Sequence, residues 1–192
     1  MIPEYLSRVS LERFIREDDR KFFTHDRSVF DVPQYTPEAH YLDLTRSKYF
    51  EAIVFLRHYI KMTSDHYFSV EQKAKNVDLF MLTPSVSSPM GPGSDSEAIP
   101  IKFGTLNSYL VDSSQFGFEP LLLNGIEKVY CYLPSMRGED PDKRHLNQFF
   151  HCEAEIQGDI KKLISIIEGF IRRLSRTTLL MKNIVNNISV DP

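Results

Sequence analysis

Residues 135–156, SMRGEDPDKRHLNQFFHCEAEI, hold most of the groups in this chain that could do chemistry. Arg137 and Glu139 form an Arg-x-Glu. An acidic turn follows, then the Arg144–His145 pair and the aromatic Phe149. A guanidinium grips phosphate oxygens in a fixed fork. A carboxylate accepts a hydrogen bond from an exocyclic amine, and an aromatic ring offers a stacking face to a purine. Together these groups suit a nucleoside triphosphate, with Arg144 and His145 able to meet its outer phosphates. The same residues also describe an exposed charged hairpin with one buried Phe, and pattern alone leaves both readings open.

Positioning these groups requires two strands. Side chains alternate faces along a strand. Over 147–156 one face carries Gln148, Phe150, Cys152, Ala154 and Ile156 and is mostly apolar. The other carries Asn147, Phe149, His151, Glu153 and Glu155. Two carboxylates and a Phe on one face of a buried strand predict the floor of a pocket. Residues 128–136 alternate too, with Val129, Cys131 and Leu133 against Lys128, Tyr130 and Tyr132. Gly138–Lys143 supply the turn between the strands. Cys131 and Cys152 both fall on apolar faces, which predicts reduced core residues rather than a disulfide or a metal pair.

The other elements follow from spacing. In 41–62, Phe50, Ile53, Leu56 and Ile60 recur at helical period, with Ser47 as a cap. Residues 77–84, VDLFMLTP, read as a strand ending at Pro84, and 85–100 is a Ser-, Pro- and Gly-rich loop. After Gly158–Asp159 a long helix carries the stripe Ile160, Leu163, Ile167, Phe170, Ile171 and Leu174. A further helix-like segment spans about 5–24.

The chain has 192 residues and a net charge of −3, enough for one domain with a real core and too little positive charge for a large nucleic-acid footprint. His25, His40, His58 and His66 lack metal-ligand spacing. No long apolar run or signal-like start occurs, so no membrane span is expected and a cytoplasmic location is.

The 137–149 pattern resembles motif 2 of class II aminoacyl-tRNA synthetases, in the aspartate/asparagine/lysine subgroup. There an Arg-x-Glu is followed by a short loop, Arg-His, and a Phe four residues later. Here the loop is about one residue shorter. The resemblance implies that Arg137 contacts the α-phosphate of ATP, Glu139 the adenine amine, and Arg144 or His145 the outer phosphates, while Phe149 stacks on adenine. Mg²⁺ would bridge the phosphates, with Glu153 or Glu155 as ligands or supports. Residues 41–62 and 77–84 resemble motif 1, which builds the dimer interface in that superfamily. The 85–100 loop resembles the mobile loop that closes over the amino acid, closest to the form in archaeal synthetase-like asparagine synthetases, and Glu97 would reach the substrate ammonium. Residues 107–120 resemble the Ser-x-Gln segment, which implies a helix opening there after a strand. Gln115 would hold the amino acid's α-groups, and Glu119 stands where asparagine-specific members carry a Glu. A flexible linker at 85–100 and a dipole-favoured Glu119 in a first helical turn explain the same residues without a ligand.

The resemblance covers about 41–180. No Gly-rich motif 3 follows Ile156, and no anticodon-binding module precedes the core. The implied fold is α+β, an antiparallel sheet flanked by helices, as a partial class II synthetase-like core over 41–192 behind an N-terminal helical extension over 1–40. The implied activity is ATP-dependent activation of an amino acid, asparagine or aspartate-like, as an aminoacyl-adenylate, with an acceptor other than tRNA. A synthetase-derived pseudoenzyme, or a regulatory or structural subunit, is the alternative. Open sheet edges add the expectation of a homodimer, or of a hetero-oligomer with a chain that supplies the missing half.

Overall fold

Alternating side chains over 128–136 and 148–156 build the centre of the fold, seen in a computed structural model that describes residues 40–46, 48–86, 97–140 and 146–181. In chain order the described elements are α1 (His40–Arg46), α2 (Lys48–Asp65) running into a π-helical turn (His66–Glu71), β1 (Lys75–Asn76), β2 (Leu82–Thr83), β3 (Pro100–Phe103), β4 (Leu106–Leu110), α3 (Gln115–Leu123), β5 (Lys128–Met136), β6 (Gln148–Ile156) and α4 (Ile160–Leu180). The helix expected over 5–24, Ser47 and most of the 85–100 loop lie outside the described residues. The architecture is α+β, with largely antiparallel sheets and flanking helices.

The chain divides into two compact units, and the boundary falls within α4 after Leu163. The unit Gln72–Leu163 contains both sheets. In one, β5 pairs antiparallel with β6 and parallel with β1; in the other, β4 lies between β2 and β3. Of the single strand expected over 77–84, only Leu82–Thr83 is strand, and β1 ends just before the range at Asn76. Leu79 lies between β1 and β2 and packs on the core cluster. It sits so close to Gly117 that a Cβ there would meet Leu79 Cδ1 at 2.7 Å. The chain dips onto α3 at that point, and dipping costs it the ladder.

The core of this unit is Val111, Phe118, Leu122, Val129, Cys131 and Leu133. Val129, Cys131 and Leu133 share one face of β5, and α3 covers that face with Phe118 and Leu122. Burying each such side chain contributes roughly 1.5–3 kcal/mol. Gly125, at φ +92°, ends α3 in a conformation that disfavours a side chain. Gly104, at φ +64°, does the same for the tight β3–β4 turn.

The register carries a consequence for the two cysteines. Cys131 opposes Glu153 and Tyr132 opposes Cys152, so the apolar face of β5 lies beside the polar face of β6. Cys131 is buried as expected, and burial pushes its thiol up to about 11. Cys152 is exposed, together with Phe150 at 56%. The apolar face of β6 therefore points away from the helix-covered side, and Cys152 is not a core residue.

The second unit is built on α2 and α4. Ala52, Tyr59 and Thr63 recur at helical spacing and are buried. Thr63 Oγ1 donates to the Tyr59 carbonyl at 2.8 Å, so in its 2.7 Å contact with Thr177 Oγ1 the proton comes from Thr177. Arg173 closes a 2.8 Å ion pair on Glu71. The α4 stripe departs from expectation. Phe170 and Leu174 are half-buried, but Ile160, Leu163, Ile164, Ile167 and Ile171 are exposed. The inward arc is instead Ile166, Phe170, Leu174, Thr177 and Met181. Gly169 explains the rotation, because it lets Tyr67 lie against the helix, where its hydroxyl donates to the Ile166 carbonyl at 2.7 Å and its ring stacks on Phe170.

Candidate functional site

The far end of the β5–β6 hairpin is held by a backbone clip. Arg137 N donates to the Asn147 carbonyl at 2.9 Å, and Asn147 Nδ2 donates back to the carbonyls of Arg137 (3.0 Å) and Glu139. One side chain thus fixes where Arg137 and Glu139 leave the strand. Gly138 N donates to the Glu97 carbonyl at 2.8 Å, and Glu97 N donates to Glu139 Oε2 at 3.2 Å. Glu97 is thereby joined to the Arg-x-Glu, although the two are far apart in sequence. A Cβ on Gly138 would approach Glu97 Cβ to 3.3 Å, so the close approach needs a small residue.

Along the paired strands, Ser135 is opposite Phe149 and Leu133 is opposite His151. The Arg137 guanidinium carbon lies 5.2 Å from the Phe149 ring centroid, a cation–π contact. Arg137 Nε is buried and has no hydrogen-bond partner. Phe149 meets the His151 ring edge-on, with centroids 4.8 Å apart. His151 Nδ1 lies 2.9 Å from Ser135 Oγ and 3.7 Å from Glu153 Oε2. Burial lowers the His151 pKa and Arg137 pushes the same way, while Glu153 and Asp112 pull it up.

The first turn of α3 supplies the next groups. Gln115 Nε2 donates to Glu119 Oε1 at 3.0 Å, an i,i+4 pair on an exposed face. Glu153 reaches this turn from β6: its carboxylate accepts from Ser113 Oγ, Ser114 Oγ and Ser114 N. Glu155, on the same face of β6, has a buried Oε2 without a hydrogen-bond partner. Its pKa is raised by burial first and then by Glu119 and Glu153.

Arg137, Glu139, Phe149 and Glu97 therefore gather at the hairpin end, while Gln115, Glu119, Glu153 and Glu155 gather where α3 meets β6. His151 spans the gap between them on the strand. Arg144 and His145 lie outside the described residues. Sequence reading missed Asn147, Ser114 and Ser135 as parts of the site, and met Ser113 only as the Ser of the Ser-x-Gln segment. Asn147 carried a usable signal, an Asn leaving a turn, where its amide readily bonds nearby backbone. The side-chain partners of Ser114 and Ser135, Glu153 and His151, are distant in sequence, so no local signal marked these two serines.

The donor set for a divalent cation is thin. Among the described residues no group of three His, Cys, Asp or Glu side chains could hold a metal. The unpartnered Glu155 Oε2 fits a single carboxylate contact to a cation that takes its other ligands from phosphates and water, as Mg²⁺ commonly does. Among the described residues no helix is long and apolar enough to cross a membrane.

Comparison with known proteins bears on the family and the fold. The family model for tRNA synthetases of class II (D, K and N) matches residues 33–190. The fold is similar to that of asparaginyl-tRNA synthetase from Pyrococcus horikoshii complexed with asparaginyl-adenylate. The TM-score is 0.69 at 23% identity, over 88% of this chain and 39% of that one. It is also similar to Entamoeba histolytica asparaginyl-tRNA synthetase in complex with asparaginyl-adenylate, with TM-score 0.62 at 18% identity, over 81% of this chain and 34% of that one. The chain thus spans well under half the length of these synthetases. No curated protein matches it in sequence.

Proposed function

The chain belongs to the tRNA synthetases of class II (D, K and N), and on that premise we propose that its hairpin site binds ATP and an amino acid of the asparagine or aspartate kind and joins them as an aminoacyl-adenylate. One observation carries the reading: Arg137 holds a buried, unpartnered Nε, and its guanidinium carbon lies over the Phe149 ring. A ligand with an acceptor oxygen beside a flat ring system would satisfy the donor and cover the aromatic face together.

In this reading Phe149 stacks on adenine, Glu139 accepts from its exocyclic amine, and Arg144 or His145 meets the outer phosphates. Glu97 takes the substrate ammonium, and Gln115 holds the amino acid's α-groups. Glu119 accepts from a side-chain amide, which favours asparagine. A carboxylate oxygen of the amino acid attacks the α-phosphorus, forming a new O–P bond. The bond to the bridging oxygen breaks, and pyrophosphate leaves with the electron pair. Arg137 stabilises the charge that builds on the α-phosphate oxygens. Orientation of the two substrates supplies much of the remaining acceleration. Mg²⁺, when bound, neutralises phosphate charge, and Glu155 is the carboxylate we assign to support it. We also propose a cytoplasmic dimer, with itself or with a partner chain, in which a second surface covers the open strand edges.

A second reading, binding without turnover, draws on one contact. Glu139 Oε2 already accepts the Glu97 amide, so part of the adenine-reading group is engaged by the chain itself. Calorimetry with a non-hydrolysable asparaginyl-adenylate analogue tests the site under either reading. Binding that weakens by about 100-fold in Arg137→Ala, the scale of one or two charge-assisted hydrogen bonds, supports it. Binding that is unchanged in Arg137→Ala rejects the assignment.

A further inference from the structure

The first turn of α3 has a serine at its N-cap that does not cap. Ser114 makes no side-chain hydrogen bond to the helix. Its hydroxyl donates instead to Glu153 Oε2, and its backbone N–H donates to the same oxygen at 3.1 Å. Ser113 Oγ donates to Glu153 Oε1 at 3.1 Å. A carboxylate from β6 therefore takes up both the side chain and the backbone N–H of the N-cap residue. The arrangement is physically reasonable, because a negative group complements the positive end of the helix dipole. Charge-assisted bonds are also stronger than neutral ones.

The clasp reaches Gln115 in one further step. Ser113 Oγ, while donating to Glu153, accepts the Gln115 N–H at 3.1 Å. Ser114 O accepts the N–H groups of Gly117 and Phe118, each at 3.0 Å, so Ser114 anchors the helix from both its ends. Gln115 in turn holds Glu119. Moving Glu153 would move the start of α3 and both side chains with it. Hydrogen bonds from the serines already occupy both Glu153 oxygens.

We infer that Glu153 is a positioning residue: through Ser113 and Ser114 it sets the place of Gln115 and Glu119, and so governs amino-acid binding without touching the nucleotide. The inference rests on the amino-acid site proposed above. Three features give it content beyond general stability. The bonds converge on one carboxylate, they take up the side chain of the N-cap serine, and they lead to the residues assigned to the amino acid.

The test is Glu153→Gln in the full chain, which keeps the shape and removes the charge and an acceptor. Asparagine and ATP affinities are measured separately by calorimetry, and the Gln115 side-chain amide is followed by nuclear magnetic resonance. We expect asparagine binding to weaken by about tenfold or more, the scale of one charge-assisted hydrogen bond. ATP affinity should stay within about twofold and the Gln115 resonance should shift, a selectivity that general loosening would not give. Wild-type asparagine affinity with an unmoved Gln115 resonance would overturn the inference, as would equal loss for both ligands. If wild-type protein binds no amino acid, the proposed function fails on its own, and the Gln115 resonance alone decides the clasp: a shift supports it and no shift rejects it. If Glu153→Gln loses its fold, Ser113→Ala breaks the same relay at a half-buried side chain and is judged by the same readouts.

Discussion

Arg137 lies over Phe149, with the guanidinium carbon 5.2 Å from the ring centroid. A cation over a ring face is worth about 0.5–2 kcal/mol, yet it uses none of the guanidinium's hydrogen-bond donors. The contact therefore steadies Arg137 and leaves its buried Nε for an acceptor. It also ties the phosphate-binding candidate to the adenine-stacking candidate, so the two residues act as one surface.

Removing that surface's charge should be severe. Arg137→Ala is expected to lower adenylate formation by about 10³-fold, comparable to losing a preorganised transition-state donor. Arg137→Lys should recover little of it, because an ammonium lacks the planar fork. Steady-state kinetics of both variants check this, and activity within a few-fold of wild type in the alanine variant contradicts it.

The Asn147 clip predicts a stability effect at the same end of the hairpin. Asn147→Ala removes its bonds to the Arg137 and Glu139 carbonyls, and should cost about 1–3 kcal/mol. Urea unfolding reads the cost, and hydrogen exchange should show faster opening at 137–139 than at 129–133. A variant as stable as wild type would mean that the clip carries no net energy.

Much of this fold was legible in the sequence because its signals are local. The alternation over 128–136 and 147–156 matches the observed β5 and β6 almost residue for residue. Helix α3 opens at Gln115, as the segment predicts. The failures lie where tertiary contacts override local pattern. Residues 77–84 alternate well enough for one strand, but Leu79 packs on α3 and only Leu82–Thr83 joins a sheet. Cys152 looked buried because its face is apolar, yet the helix cover lies on the other face. The α4 stripe is similarly misread, since Gly169 and Tyr67 select a different arc. In the site, Arg137, Glu139 and Phe149 were visible as a motif. The Glu153–Ser113–Ser114 clasp was not, because its members are adjacent only in space.

Gly169 gives a prediction of unusual sign. Gly→Ala inside a helix normally stabilises by up to about 1 kcal/mol. Here the new Cβ would lie 2.4 Å from the Tyr67 hydroxyl and 3.1 Å from Cζ, and Tyr67 is buried. Gly169→Ala should therefore destabilise, by about 1–3 kcal/mol, as overpacking does. Adding Tyr67→Phe should recover part of the loss. Thermal unfolding of the single and double variants measures both, and a raised midpoint in the single variant refutes the packing.

His151 should leave a mark on the pH dependence of stability. Its folded pKa is depressed below its ordinary 6.5, by burial first. The unfolded chain thus binds the proton more readily. The stability due to neutral His151 is complete above about pH 6.5 and is lost as pH falls below it, with a slope of at most about 1.4 kcal/mol per pH unit. His151→Gln should flatten that part of the curve. Chemical denaturation at several pH values from 7 to 5 compares the two, and parallel curves would contradict the assignment.

Amino-acid-dependent ATP–pyrophosphate exchange, with the purified chain, Mg²⁺ and a panel including asparagine and aspartate, tests the central claim most directly. The account predicts exchange with one amino acid of the asparagine or aspartate kind, lost in Arg137→Ala. No exchange with any amino acid, from folded protein that binds ATP, would contradict adenylate formation and leave the site as one that binds without turnover.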